Sequence, residues 1–302
     1  MTKKRKILCH SCRGEVPQYA TVCLHCEHEI SDEKGQKKTQ KDDYNRYGIG
    51  RSVSKSLKKQ VREECGFGCV LCGAALCEYD HFDPPFEALK TAHSASGLAM
   101  LCDNHHKRKN RGLIEDSEVR EAREHPRAKA QGFIREDEFF RQGKANTILL
   151  GPMGTKGVIE TPGKAFLRLN DVPVMFFDYE GDNSIPLFNA LFLYPNGNVL
   201  AMIRRNELIV KPEEGFDIRT PDSALIFEWE GKRILHLVRL GSNVMTIVSM
   251  DLLYVNHPIF FEGSTLTIGG FTAIVEEQIN LKGSIILECN CGCDHSLKRY
   301  WV

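Results

Sequence analysis

The chain has 302 residues, of which 42% are hydrophobic and 26% charged, and a formal net charge of zero; these values exclude a largely disordered protein. No run approaches the roughly 20 apolar residues that a membrane-spanning helix requires, and the N-terminal segment MTKKRKILCHSC lacks the apolar core of a signal peptide. These features predict a water-soluble, cytoplasmic protein with two or three domains.

Positive charge is concentrated in the N-terminal part of the chain. Residues 1–62 carry 15 Lys and Arg against 7 Asp and Glu, whereas the balance is −3 over residues 63–162 and −5 over residues 163–302. A basic N-terminal part suits contact with a polyanion such as nucleic acid. Lysine-rich segments are equally typical of solvated tails, so the charge alone leaves both interpretations open.

The cysteine spacing predicts a zinc ribbon over residues 1–30. Nine of the twelve cysteines precede residue 103, and six of those lie in Cys-x-x-Cys pairs, which indicates metal sites rather than disulfides in a reduced compartment. The segment CHSCRGEVPQYATVCLHC holds two such pairs, which together supply four thiolates for a tetrahedral Zn²⁺. The four predicted ligands are Cys9, Cys12, Cys23 and Cys26.

Residues 31–57 are polar and rich in lysine, a composition that predicts a basic flexible linker. A helix is expected to begin near Ser54. From Val61 the composition changes, and a third pair, Cys69-x-x-Cys72, is separated by 29 residues from Cys102-x-x-His105.

The intervening segment contains Tyr79-Asp80-His81, and a helix predicted to start at Asp103 or Asn104 carries the run HHKRK. In this order of elements, residues 61–113 resemble the HNH endonuclease family of zinc-braced ββα-metal nucleases. That family has C-x2-C, an acidic residue and a histidine on the first strand, and L-C-x-x-C-H-x-x-K leading into the helix. The segments GFGCVLCG, EYDHFDPPF and LCDNHHKRKNRG carry the resemblance.

The resemblance implies a nuclease domain over residues 58–145 that hydrolyses the phosphodiester bonds of double-stranded DNA, in a setting such as restriction or phage defence. It implies a catalytic divalent cation such as Mg²⁺ or Mn²⁺, ligated by Asp80 and His106, with His81 as the general base. It also implies a second structural Zn²⁺, whose ligands are Cys69, Cys72, Cys102 and His105.

The sequence departs from the family at Gly97, which stands where the middle asparagine of the family pattern is expected. His93 and Asn104 are the alternatives that the sequence offers, although neither has the family's spacing. The departure leaves a second hypothesis open, a weak or inactive nuclease that binds nucleic acid. A third hypothesis makes the C-terminal region a platform for protein interaction.

Residues 114–142 are charged and helical in pattern, and short apolar runs separated by turn residues predict an all-β domain over residues 146–302, either a solenoid-like stack or a sandwich. This domain is expected to set the target, or to bind a protein partner or a second copy. The fold class is therefore multidomain α+β. The C-terminal tail leaves a third metal site open, with Cys289, Cys291, Cys293 and His295 as its ligands.

Overall fold

A computed structural model of the protein describes residues 6–18, 20–30, 44–137, 139, 147–150, 155–158, 165–169, 172–179, 186–221, 224–240, 244–254, 257–262, 265–268, 271–274 and 287–289. The chain divides into two compact units. The first comprises Met1–Cys65, Cys69–Leu71 and Cys77–Arg127, and the second comprises Gly66–Gly68, Cys72–Leu76 and Ala128–Val302. The predicted mixture of helices and strands is confirmed, and strands predominate.

The first unit begins with a short hairpin and continues with helices around a second hairpin. In chain order its elements are β1 (Lys6–Leu8), β2 (Glu15–Pro17), α1 (Lys55–Glu64), β3 (Cys77–His81), β4 (Leu98–Cys102), α2 (Asp103–Asn110) and α3 (Asp116–Glu124); α4 (Arg127–Gln131) follows. Helix α1 begins where it is predicted, because the Ser54 side chain caps it by accepting a hydrogen bond from the backbone N–H of Leu57.

The β1–β2 hairpin covers a very small core. Its buried members are Cys9, Val16, Ala20 and Cys23, with Leu24 and Ile30 packed against them. So few apolar side chains cannot offset the conformational entropy of ordering 25 residues or so, since each residue costs about 1.5 kcal/mol. A further source of stability is therefore needed within this segment.

Residues 44–53 are packed, which differs from the flexible linker predicted for residues 31–57; residues 31–43 lie outside the described part of the chain. Asn45, Tyr47 and Val53 are buried. The side-chain amide of Asn45 donates to the carbonyl oxygens of Phe86 and Leu89, both at 2.7 Å. The segment therefore has a fixed path, which the polar composition concealed because its contacts come from residues forty positions away.

The second hairpin joins β3 and β4 in antiparallel register, with Asp80 opposite Ala99 and His81 opposite Leu98. Strand β4 is apolar and buried from Leu98 to Leu101. Helix α2 follows β4 without an intervening loop, since Cys102 is both the last residue of β4 and the N-cap of α2. This strand–strand–helix order places the start of α2 beside the hairpin.

The second unit consists of two sheets. Its strands are β5 (Ile134–Glu136), β6 (Thr147–Leu150), β7 (Thr155–Val158), β8 (Ala165–Leu169), β9 (Val172–Tyr179), β10 (Pro186–Leu193), β11 (Val199–Arg204), β12 (Glu207–Val210), β13 (Phe216–Arg219), β14 (Ala224–Trp229), β15 (Lys232–Leu240), β16 (Val244–Tyr254), β17 (His257–Glu262), β18 (Thr265–Ile268), β19 (Phe271–Ile274) and β20 (Leu287–Cys289). Strand β5 differs from the helical prediction for residues 114–142, which α3 and α4 satisfy.

One sheet has the order β20-β8-β9-β10-β11-β12-β5, and the other has β13 to β19 in sequence order with β6 and β7 attached at β16. Neighbouring strands are antiparallel except for the β6–β16 and β8–β20 pairs. Both sheets contribute to one core, in which Phe177, Phe188, Phe227 and Phe261 are fully buried. The strand-rich character predicted for residues 146–302 is therefore confirmed within the described residues.

Within the described part of the chain, no helix has the length and apolar character that crossing a membrane requires.

Candidate metal centres and active site

The four cysteines of the β1–β2 segment form a cluster whose Sγ atoms all lie within 4.8 Å of one another. The Sγ atoms of Cys9 and Cys26 are 3.7 Å apart, and those of Cys12 and Cys23 are 3.6 Å apart. A disulfide would bring two sulfurs to about 2.05 Å, whereas ligands around a tetrahedral Zn²⁺ with Zn–S bonds of about 2.3 Å lie about 3.8 Å apart. The cluster therefore has the dimensions of a metal site.

The two halves of this cluster are built alike. Arg13 donates its backbone N–H to the carbonyl oxygen of Cys9, and Glu27 donates to Cys23 in the same way, both at 2.9 Å. Arg13 and Glu27 both have positive φ angles, 61° and 58°. Each Cys-x-x-Cys pair thus closes a tight turn, and the left-handed residue after its second cysteine reverses the chain.

A second cluster with the same 4.8 Å limit contains Cys69, Cys72, Cys102 and His105. Nδ1 of His105 lies 3.2 Å from Sγ of Cys102 and 3.4 Å from Sγ of Cys69. Around a tetrahedral zinc, a sulfur and a nitrogen ligand lie about 3.6 Å apart. Cys102 and His105 are three residues apart at the start of α2, so both side chains lie on one face of the helix. The structure thus assembles the ligand set that the resemblance implied.

The next residue, His106, faces Asp80 and Glu78 of strand β3. Its Nε2 atom lies 3.3 Å from Oδ1 of Asp80, and its Nδ1 atom lies 2.9 Å from Oε2 of Glu78. Neighbouring ligands of an octahedral cation with bonds of about 2.1 Å are about 3 Å apart. The separation of Asp80 Oδ1 and His106 Nε2 thus suits two ligands of one divalent cation as well as a direct ion pair. Glu78 can accept a hydrogen bond from the Nδ1–H group of His106, and the lone pair on Nε2 of His106 is then available to a metal ion.

Lys109, one turn further along α2, fixes the second oxygen of Asp80. Its Nζ atom lies 2.9 Å from Oδ2 of Asp80 and 3.0 Å from Oδ1 of Asp116. Burial raises the pKa of Asp80, while the Lys109 ammonium opposes that rise. Burial alone would lower the pKa of Lys109, but its two carboxylate partners outweigh burial and raise it. Lys109 therefore stays charged and keeps Asp80 oriented.

His81, beside Asp80 on the strand, has a different environment. Burial lowers its pKa to about 4, and the nearby His93, Arg51 and Lys109 act in the same direction. A histidine with this pKa is neutral at physiological pH, the state in which it can accept a proton. Adjacent strand residues point to opposite faces, and accordingly Asp80 contacts α2 whereas His81 contacts the ring of His93, with 5.0 Å between the ring centroids.

His93 joins His81 to the packed segment before α1. Nδ1 of His93 lies 2.8 Å from Nε2 of His81, and Nε2 of His93 lies 2.8 Å from the carbonyl oxygen of Gly50. The sequence had offered His93 as one substitute for the missing asparagine, without support from spacing. The structure brings His93 to His81, while Asn104, the other substitute, is exposed on α2.

Gly97 itself cannot carry a side chain in this fold. Its carbonyl oxygen accepts a hydrogen bond from the backbone N–H of Phe82 at 3.1 Å, which brings the ends of β3 and β4 together. A Cβ atom added at Gly97 would lie 2.3 Å from the carbonyl oxygen of Asp83, well inside any real contact distance. The departure from the family pattern therefore follows from the close approach of two backbones.

The eleven predicted metal and catalytic residues thus lie in two four-membered clusters and in the group of Asp80, His81 and His106. Sequence reasoning missed Glu78, although its position two residues before Asp80 places both side chains on one face of β3. It also missed Asp116 as a partner of Lys109. Of the proposed tail site, only the backbone of Cys289 falls within the described residues, so that site lies outside what the structure describes.

Comparisons with models of protein families, with curated proteins and with solved structures find no match to this chain.

Proposed function

We propose that the protein is a metal-dependent endonuclease of the HNH type that hydrolyses DNA phosphodiester bonds. The observation that carries the proposal is the 3.3 Å distance between Oδ1 of Asp80 on β3 and Nε2 of His106 on α2. The residue after Asp80 on β3 is His81, whose lowered pKa keeps it neutral. A carboxylate and an imidazole at this spacing suit a divalent cation, and a neutral imidazole suits a general base.

A bound cation would polarise the scissile phosphate and stabilise the charge that develops there. Asp80 and His106 would hold it, since Lys109 keeps the Asp80 carboxylate in place from the other side and Glu78 orients the His106 ring. The imidazole of His81 would take a proton from the attacking water, which would have to lie on the His81 side of β3, because the side chains of Asp80 and His81 point to opposite faces of the strand. A pKa of about 4 keeps His81 unprotonated at neutral pH.

The two cysteine-rich clusters are proposed to be structural zinc sites. Both ligand sets are soft and complete, with four protein ligands each, which suits a closed structural site rather than a catalytic one. The second cluster ties the first turn of α2 to Cys69 and Cys72, so His106 would be placed by the zinc ligand that precedes it. The first cluster would supply the stability that its small core lacks.

DNA is the proposed substrate because exposed cationic side chains follow the proposed metal ligand His106 along α2, and a further one stands near His81. Arg108 and Arg111, at the C-terminal end of α2, are exposed, and within the described residues neither forms an ion pair. Arg51 is 60% exposed and its guanidinium stacks on the Phe86 ring, which in turn lies against His81. Such side chains can bind phosphates on either side of the scissile bond.

A plasmid-nicking assay tests the proposal. Zinc-loaded full-length protein should convert supercoiled plasmid to the open circle with Mg²⁺, Mn²⁺ or Ni²⁺, and His81→Ala should lose this activity by about 10²-fold or more. His125→Ala is the matched control, because His125 is an exposed histidine at the end of α3 and should leave nicking unchanged. Absence of nicking by the wild type in every metal, with the zinc content intact, would exclude the nuclease and favour a protein that only binds nucleic acid.

A further inference from the structure

We propose that His93 is the positioning residue of His81: it fixes the tautomer of His81 so that Nδ1 is the atom that accepts the proton from water. The inference rests on the proposed nuclease function for its catalytic meaning. Its structural basis is the chain of two hydrogen bonds that runs from His81 through His93 to the carbonyl oxygen of Gly50, each 2.8 Å long.

The direction of both hydrogen bonds follows from the chemistry of the groups. A carbonyl oxygen can only accept, so Nε2 of His93 must carry a proton and donate it to Gly50. In a neutral imidazole the other nitrogen then has a lone pair, and Nδ1 of His93 is an acceptor. While both rings are neutral, His81 must therefore donate from Nε2, which leaves Nδ1 of His81 without a proton. Within the described residues, that Nδ1 atom has no protein hydrogen-bond partner.

The Gly50 end of this hydrogen-bond chain is held in place by contacts within residues 44–53. The side-chain oxygen of buried Asn45 accepts hydrogen bonds from the backbone N–H groups of Tyr47 and Ile49, at 3.1 and 3.0 Å. Its amide nitrogen binds the carbonyl oxygens of Phe86 and Leu89 on the other side. Gly50 therefore presents its carbonyl oxygen from a rigid loop, and the acceptor cannot rotate away as a side-chain oxygen could.

Neither Gly97 nor Asn104 occupies the position that His93 takes beside His81. Gly97 has no room for a side chain, and Asn104 is exposed on the first turn of α2. The residue that orients the general base is thus supplied by the loop between β3 and β4, four positions before the place where the family pattern has its asparagine.

Two variants of His93 distinguish the effect of its hydrogen bond with His81 from the effect of its aromatic ring. His93→Phe keeps the aromatic volume and removes the acceptor. His93→Asn keeps an acceptor, because its Oδ1 atom occupies the place of Nδ1, and loses only the bond to Gly50. Both proteins should retain full zinc content, which is measured first so that a folding defect is recognised.

The tautomer is read by long-range ¹H–¹⁵N NMR on histidine-labelled, zinc-loaded full-length protein at about pH 8, where imidazole is neutral. His81, assigned with the His81→Ala variant, should carry its proton on Nε2 in the wild type and in His93→Asn, and should populate both tautomers in His93→Phe. In nicking assays kcat should fall about 100-fold or more in His93→Phe, with KM for DNA unchanged, and should recover in His93→Asn.

A wild-type His81 with its proton on Nδ1 would overturn the inference, as would a His93→Phe variant with unchanged tautomer and kcat. The NMR result does not require cleavage. A wild type that shows the expected tautomer, dependent on His93, but nicks no DNA in any metal would support the positioning of His81 and overturn the proposed nuclease function instead.

Discussion

The Cα atom of Gly97 lies so close to Asp83 that an added Cβ would stand 2.3 Å from the Asp83 carbonyl oxygen. Gly97→Asn, which restores the residue that the HNH pattern has here, should therefore destabilise the protein and restore no activity. Overpacking against backbone costs about 1–3 kcal/mol, and denaturant unfolding measures it. Gly112→Asn is the control, because Gly112 has a φ of +69° that asparagine tolerates and open space around it. Equal stability of Gly97→Asn and wild type would contradict this prediction.

The adjacent histidines of α2 are predicted to have separate roles. His105→Ala should lose one of two tightly bound zinc equivalents and unfold at lower denaturant, since a structural zinc contributes on the order of 10 kcal/mol of folding free energy. His106→Ala should keep both zinc ions and lose nicking. Elemental analysis beside the nicking assay checks both. Loss of zinc from His106→Ala, or fewer than two zinc ions in the wild type, would refute the assignment.

The Lys109 ammonium is predicted to stabilise the fold as well as orient Asp80, because its side chain is only 11% exposed and Asp80 only 6%. Lys109→Gln leaves a buried carboxylate without its cation and should destabilise the protein by about 2 kcal/mol or more. The control is Lys107→Gln, which breaks an exposed i,i+4 pair with Asp103 and should cost about 0.5 kcal/mol or less. Equal effects of the two variants in denaturant unfolding would show that Lys109 is no more than a surface charge.

Arg108 and Arg111 are predicted to bind DNA phosphates. Replacing both with Gln should weaken duplex binding and flatten the slope of log K against log salt by about 0.9 for each phosphate that the protein no longer neutralises. Zinc content and unfolding should not change, because both side chains are exposed. Lys211→Gln, an exposed cation on the second unit, should leave the slope unchanged. A salt titration in which the double variant keeps the wild-type slope would remove α2 from the DNA-binding surface.

The spacing within each ligand pair of the two metal clusters is local and could be read from the sequence, whereas the joining of Cys69 and Cys72 with Cys102 and His105 was implied by the resemblance to the HNH family. Each Cys-x-x-Cys pair closes a turn by itself, and Cys102 and His105 meet because they are one helical turn apart. His105 and His106 are adjacent on α2 and point about 100° apart, so the sequence could predict that they face different neighbours. The strand pattern after residue 146 similarly came from short-range alternation and turn residues.

What the sequence could not predict depends on contacts between distant residues. The polar composition of residues 44–53 suggested a linker, yet Asn45 uses its amide to bind backbone groups more than forty residues away. His93 reaches His81 only because the loop after β3 folds back on Gly50. Strand β5 pairs with β12, some seventy residues later, which overrides the helical pattern of its own segment.

The most direct test of the proposed active centre is the Mn²⁺-dependent nicking rate of zinc-loaded wild-type protein compared with that of His106→Ala. Asp80 and His106 lie 3.3 Å apart and are the proposed ligands of the cation. Wild type should therefore nick plasmid with a saturable dependence on Mn²⁺, and His106→Ala should require far more Mn²⁺ or show no nicking while retaining both zinc ions. A His106→Ala variant with the wild-type rate and the wild-type Mn²⁺ dependence would contradict the proposed metal centre.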